Sequence, residues 1–369
     1  MLPSAVRGAD ARAFAMVMAT AIVSVALRQA GNPPLSAAPL WVAAAAFVVL
    51  VAAAVWRAAA FPADVRRDLA RPDRVFSVFA VPAAASVLAA RVADRGQHDV
   101  VAALTAVTAL GWAAACCAVI AFLARRTGPR RAITDVNGTW QLWVVGTQSV
   151  AIAAVSAYAA GLVPDRLAAW AALILWSAGA VIYLVVTPLV ITRLVTAGLS
   201  PGDPFAPYWV TMGAASITVL AAAQILHITG PAVLSAARPA VTDLALALWA
   251  AATGLIPVLA VTGAVRRLHG HAARGFRREL WMIVFPAGMY ATASMRIGAE
   301  AGLPPIRELG TAAAWVAAAV WAAVFAAMVT WPLVRAQPGR PHPAAGHAGS
   351  PTRPAHHRTR SGFRLRGST

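Results

Sequence analysis

HDVVAALTAVTALGWAAACCAVIAFLARRTGPRRAITDVNGTWQLWVVGTQSVAIAAVSAYAAGLVPDR, residues 98–166, decides the fold. Residues 100–124 carry no charged side chain, then Arg125, Arg126, Arg130 and Arg131 crowd into one gap. Residues 136–164 are uncharged again and end in a short link to the next apolar run. A helix needs about 20 apolar residues to cross roughly 30 Å of hydrocarbon. Lipid offers no partner to a free backbone group, which favours helices in such runs. This stretch therefore reads as two membrane helices with arginines on one side only.

The unit recurs along all but the end of the chain. Spans are predicted near 13–30, 38–56, 76–92, 98–124, 140–160, 166–192, 209–229, 240–265, 280–298 and 308–331. Links after the odd-numbered spans are short, so the ten helices pair as five hairpins. The chain is thus expected to be an all-α polytopic membrane protein. The N-terminus, the gaps after even spans and the tail hold 24 arginines, and the opposite side holds 7. Without the tail the ratio is still 17 to 7. By the positive-inside rule both termini face the cytoplasm. The domains expected are a cytoplasmic segment 1–12, a transmembrane domain 13–332 and a disordered basic tail 333–369. The first span lacks a clear cleavage site and reads as a retained helix.

Composition agrees. Of 369 residues 60% are hydrophobic and 12% charged, with mean hydropathy +0.69; a soluble domain is about 25% charged. Every basic residue is Arg. The net charge of +18 belongs to loops beside anionic lipid and is not a nucleic-acid footprint. Cys116 and Cys117 are adjacent within a span, where neither a mutual disulfide nor a metal site is expected. The tail is rich in Pro, Gly, His and Arg and cannot bury enough apolar surface to fold. Its histidines, His342, His347, His356 and His357, read as low complexity rather than metal ligands.

The odd spans share a second pattern, a larger apolar residue followed by a small or helix-breaking one. The pairs are Met18-Ala19, Val81-Pro82, Val145-Gly146, Met212-Gly213 and Phe285-Pro286. Pro removes a backbone donor and kinks a helix, and Gly permits close approach. Five hairpins with matching breaks suggest a quasi-fivefold arrangement, odd helices around a central axis and even helices outside. The same pattern is compatible with ordinary transmembrane composition, in which Gly and Pro are frequent. Arg28, Arg91 and Arg296 fall at the outer ends of odd spans, nine or ten residues after the small residue of their pair. They read either as a partial ring attracting anions to an outer mouth or as interfacial anchors.

No Asp or Glu lies at the centre of a span. Coupled carriers commonly place ionisable groups there, so a passively conducted anion fits better. His227, near the outer end of span seven, reads as a proton relay or as a polar helix end. Thr20, Thr147, Gln148, Ser149, Ser216 and Thr292 offer hydrogen bonds either to a passing anion or to their own preceding turn. The basic loop 266–278 reads mainly as a topology signal, and Asp64 and Asp68 with Arg66, Arg67, Arg71 and Arg74 as weak surface pairs. No catalytic constellation, metal-binding pair or phosphate loop is present, so an enzyme is disfavoured and no cofactor is expected.

Four segments each introduce an odd span: FPADVRRDLARPDRVFSVFAVPAA (61–84), NGTWQLWVVGTQSVA (137–151), PYWVTMGAASI (207–217) and LWMIVFPAGMYATASM (280–295). Together they resemble the tellurite-resistance/dicarboxylate transporter family, which includes plant slow anion channels, fungal malate permeases and sulfite pumps. The resemblance runs from about residue 10 to 332. It implies ten helices in five hairpins, inner helices around a pore, and a homotrimer. It also implies that Phe285 matches an aromatic on the ninth helix that plugs the pore. Met18, Val81, Val145 and Met212 follow as further pore candidates, with Ala19, Pro82, Gly146, Gly213 and Pro286 beside them. Ala19 departs from the Gly often found there. The permeant expected is a small anion: a dicarboxylate such as malate, chloride, nitrate, sulfite or tellurite. The alternative is a proton-coupled dicarboxylate, sulfite or tellurite exporter.

Overall fold

The computed structural model describes residue 7 and residues 10–125, 135–200, 203–270 and 275–336, with side chains except those of Asp94 and residues 332–336. Nearly all of the expected tail lies outside these residues, as do most of segment 1–12 and Arg126, Arg130, Arg131 and Arg274. Among the described residues, ten helices occupy the ten predicted spans. They are α1 (Phe14–Gln29), α2 (Pro33–Ala60), α3 (Ala80–Val92), α4 (His98–Ala124), α5 (Gln141–Ala159), α6 (Asp165–Ala197), α7 (Trp209–Leu226), α8 (Ala232–Leu268), α9 (Trp281–Glu300) and α10 (Pro304–Ala336). A short helix, Pro62–Leu69, follows α2, and the described residues contain no strand.

Each odd helix packs against the even helix that follows it, giving five hairpins. The odd helices also touch one another in a closed circuit, α1 to α3 to α5 to α7 to α9 and back to α1. Each even helix leans in addition on the next odd helix of the circuit. The odd helices are accordingly buried, and Met18, Val145 and Phe285 have no exposed surface. The even helices present large apolar side chains outward, among them Trp41, Leu110, Val195, Val261 and Val316. Water would penalise so much exposed apolar surface, but a lipid bilayer does not.

Among the described residues, nine helical segments are long and apolar enough to cross a membrane by composition alone. The tenth, α9, carries Tyr290, Thr292, Ser294, Arg296 and Glu300 in 20 residues. It reaches that polarity because protein, not lipid, surrounds it. α8 and α10 are longer than predicted, at 37 and 33 residues. At 1.5 Å per residue α8 is about 55 Å long, so it projects well past the hydrocarbon.

Pro82 does not interrupt an α-helix. Val75–Phe79 form a 3-10 turn and the α-helix starts only at Ala80. Pro82 therefore sits in the first turn, where its missing N–H costs nothing. Pro286 does lie inside its helix, where it deprives the Met282 carbonyl of the usual donor.

Candidate functional site

All five inner helices begin in the same way. A 3-10 turn precedes each one: Ala11–Ala13, Val75–Phe79, Gly138–Trp140, Ala206–Tyr208 and Arg278–Leu280. The five turns touch in a closed circuit of their own. Local sequence explains two of them. The Asp10 carboxylate accepts from the Arg12 N–H at 3.1 Å, and Asn137 Oδ1 accepts from the Thr139 N–H at 2.9 Å and its hydroxyl at 2.6 Å. Both are N-cap contacts that satisfy otherwise orphaned donors. Gly138 is required by close approach: a Cβ there would lie 2.3 Å from the Pro207 carbonyl oxygen.

Every one of these turns carries one carboxylate, namely Asp10, Asp73, Asp135, Asp203 and Glu279, within it or up to three residues before it. Four of the five line a cavity of about 270 Å³, together with Arg12 and Arg193. Arg12 holds Asp10 at 2.6 Å and lies 3.8 Å from Glu279, so it bridges the first hairpin to the fifth. Burial pushes the Asp73 carboxyl up, but the hydrogen bond and charge of Arg71 outweigh it and leave the group below the ordinary carboxylate range. This vestibule is a mixed-charge basin, with helix N-termini around it supplying partial positive charge.

Beyond it lie the five residue pairs, each reached six or seven residues after its 3-10 turn begins. Met18, Val145, Met212 and Phe285 are at most 1% exposed. Val81 differs: it is half-buried and lines a cleft with Leu50 and Ala54 of α2. The small partners make room for neighbours. A Cβ on Gly213 would fall 2.9 Å from Pro286 Cγ, so two of the pairs meet across α7 and α9. A Cβ on Gly146 would fall 2.3 Å from the Phe79 ring. Pro82 faces its outer partner, where a Cβ on Gly111 of α4 would be 3.6 Å from Pro82 Cδ. Ala19 is wholly buried.

The hydroxyls of the inner helices are used inside the protein. Thr147, Ser149, Ser216 and Thr292 donate to the carbonyls of Trp143, Val145, Met212 and Gly288, one turn back. Gln148 donates to the Trp176 carbonyl at 3.1 Å and to Thr218 at 3.2 Å. Several also serve a repeated contact that sequence reasoning missed. Trp112 of α4 donates to Thr147 of α5, and Trp176 of α6 to the Thr218 carbonyl of α7. Trp249 of α8 donates to Ser294 of α9, and Trp321 of α10 to Thr20 of α1. Four of the five outer helices are thus pinned by an indole to the next inner helix. In α2 the aromatic Phe47 packs edge-on against Phe14 of its own hairpin partner α1. One Trp deep in each of four even spans was the available signal.

At the opposite end the three outer arginines have three environments. Arg91 is 3% exposed and donates to Ser24 at 3.0 Å and Ser36 at 2.9 Å. Arg28 is half-buried and Arg296 exposed. His227 is exposed, 3.1 Å from Glu300, so it ties the ends of α7 and α9 together. Asp68 is more than a weak surface pair, since it binds both Arg57, itself 9% exposed, and Arg74.

Five buried helices in a closed circuit, sheathed by five lipid-facing ones, define a multi-pass membrane protein organised about its inner helices. Residues 10–329 match the voltage-dependent anion channel family, and the chain belongs to it. It is an anion channel or transporter, and its substrates are small anions. Two uncharacterized membrane proteins of Mycobacterium tuberculosis, from strains CDC 1551 and H37Rv, are each 36% identical over 148 residues. The match covers 40% of this chain and 75% of each relative.

Proposed function

We propose that this chain is a passive anion channel whose central path runs between the five inner helices and is closed by Phe285. The carrying observation is the position of that ring. It is wholly buried on α9, directly before Pro286, whose own ring rests against Gly213 of the neighbouring inner helix. A buried apolar ring shuts a path by excluding water and ions. Pro286 brings no N–H to the Met282 carbonyl, and that missing helix bond is the local weakness about which the ring can swing.

In this reading the inner helices are a quasi-fivefold pore, with Met18, Val145 and Met212 as its other narrow points. The arginine-rich end is cytoplasmic, and Arg12 and Arg193 offset the carboxylates of the vestibule there. Arg28 and Arg296 attract anions at the other mouth, while Arg91 mainly holds α1, α2 and α3 together. The membrane is a bacterial inner membrane and the assembly a homotrimer. Chloride, nitrate, sulfite, tellurite and dicarboxylates such as malate are the permeants to test. A coupled exporter is the second reading. It is the less favoured because the ionisable groups lie at the ends of the helices.

The test is anion flux into proteoliposomes for wild type and Phe285→Ala, with chloride, nitrate, sulfite, tellurite and malate in turn. The expected result is a near-silent wild type and a conducting variant. Equal flux from both proteins, rising with an imposed proton gradient, would reject the gate and favour the coupled exporter.

A further inference from the structure

At the arginine-rich end, a second and larger cavity of about 610 Å³ opens between α7, α8 and α9. Its walls change character along its length. One stretch of wall, up to about two turns back along α8 from its end, is apolar, formed by Trp209, Leu259, Ala260, Ala264 and Ile283. The other stretch is basic, with Arg267 at the end of α8 and Arg277 on the facing segment, both exposed. Arg266 is buried and spent on the carbonyls of Ser200 and Asp203, each at 3.0 Å, so it shapes the wall. Two carboxylates also line the cleft, and both are engaged. Asp203 accepts the Ser200 N–H at 2.9 Å, and Glu279 lies between Arg277 at 3.7 Å and Arg12 at 3.8 Å. Three guanidiniums against two carboxylates leave the cleft positive.

We propose that this cleft binds one anionic phospholipid from the adjoining leaflet. Arg267 and Arg277 hold its phosphate headgroup, and the apolar wall beside Ala260 and Ala264 receives an acyl chain. Ala260 and Ala264 precede Arg267 on α8 by about one to two turns, so the apolar wall lies on the bilayer side of the cations, an order that matches a lipid and not a soluble anion. Basic pockets between membrane helices hold acidic headgroups by the same logic. The chain's own tail is a poor occupant, because residues 337–369 are rich in Arg and contain no acidic residue. A second copy presenting this face would bring like charges together. The proposal does not depend on which anion is transported.

Native mass spectrometry of the full chain in detergent, titrated with phosphatidylglycerol or phosphatidylcholine, tests it. Wild type is expected to retain phosphatidylglycerol preferentially. Arg267→Gln and Arg277→Gln should each weaken that retention about fivefold. Ala264→Trp, which fills the cleft from an exposed position, should abolish it. Arg125→Gln, at the same end of another outer helix, should leave it unchanged. Equal retention of the two lipids overturns the proposal, as does an equal loss in Arg125→Gln, which would mark general surface attraction. A change of oligomeric mass in Ala264→Trp with lipid retained also overturns it, because the cleft would then be a protein interface.

Discussion

The inner and outer helices obey opposite rules. In α7 nearly every side chain is buried, whereas few are on α10 at the outside. Yet the exposed helices are the more apolar, and the polar residues Thr20, Gln148, Thr218, Thr292 and Ser294 are all fully buried on inner ones. In a soluble protein this distribution would be inverted. In a bilayer the solvent is hydrocarbon, so burial within protein is where a hydroxyl finds a partner. Packing follows the same division. Inner helices meet at glycines, because attraction between helices in lipid comes from close contact. Outer-helix glycines that face inward are packed in the same way, as Gly179 against Gln148 and Gly310 against Met295, whereas a Cβ on the exposed Gly254 of α8 would meet nothing within 4 Å.

The sharpest way to break this contrast is a pair of identical substitutions. Gly138→Ala inserts a methyl 2.3 Å from a backbone oxygen between two 3-10 turns. Overpacking of this kind costs about 1–3 kcal/mol, and rigid backbone puts Gly138 at the upper end. Gly254→Ala on α8 meets nothing within 4 Å and should gain up to about 1 kcal/mol of helix propensity. Thermal unfolding in detergent should show a clear drop for the first and none for the second. Similar values would mean that the turns are not packed as described.

Next in size is Arg12→Gln. It removes the cation bridging Asp10 and Glu279 and should lower anion flux severalfold in the conducting Phe285→Ala background. Unchanged flux would remove the vestibule from the anion path. The indole pins are weaker. Trp249→Phe and Trp321→Phe should each cost about 0.6 kcal/mol, the average for hydrogen bonds between membrane helices. A double-mutant cycle of Trp249→Phe with Ser294→Ala isolates that contact. A coupling near zero would reduce the indoles to packing groups.

The smallest effect is with pH. Asp73 has a lowered folded-state pKa. The stability it contributes is therefore present above the ordinary aspartate pKa and is lost as pH falls through the lowered value. Its exposed side restricts this to a modest acid-side loss of melting temperature. Asp73→Asn should flatten that limb and leave the neutral range nearly unchanged.

Much of the fold was legible because bilayer thickness imposes a length and the arginines mark a side. The ten spans and five hairpins needed nothing else. Even α9 was placed, although its Tyr, Thr, Ser, Arg and Glu make it the least lipid-like helix. The five residue pairs were also legible as a repeat, but not their directions. Pro82 and Val81 turn towards outer helices, and Gly146 turns towards Phe79, because helix rotation is set by packing. The carboxylate on each turn was invisible as a set. Asp73, Asp135, Asp203 and Glu279 stand more than 60 residues apart in sequence and line one basin only when the turns meet.

The sequence by itself determined the number of helices, their pairing and which residues could not face lipid, since each follows from local hydrophobicity and charge. Tertiary structure alone decided that Trp112, Trp176, Trp249 and Trp321 pin neighbouring hairpins, and that Arg91 turns inward to two serines. It also decided that Phe285 is enclosed beside Pro286 and Gly213. These are contacts between segments up to 301 residues apart, and no property of one segment specifies which face of another it will meet.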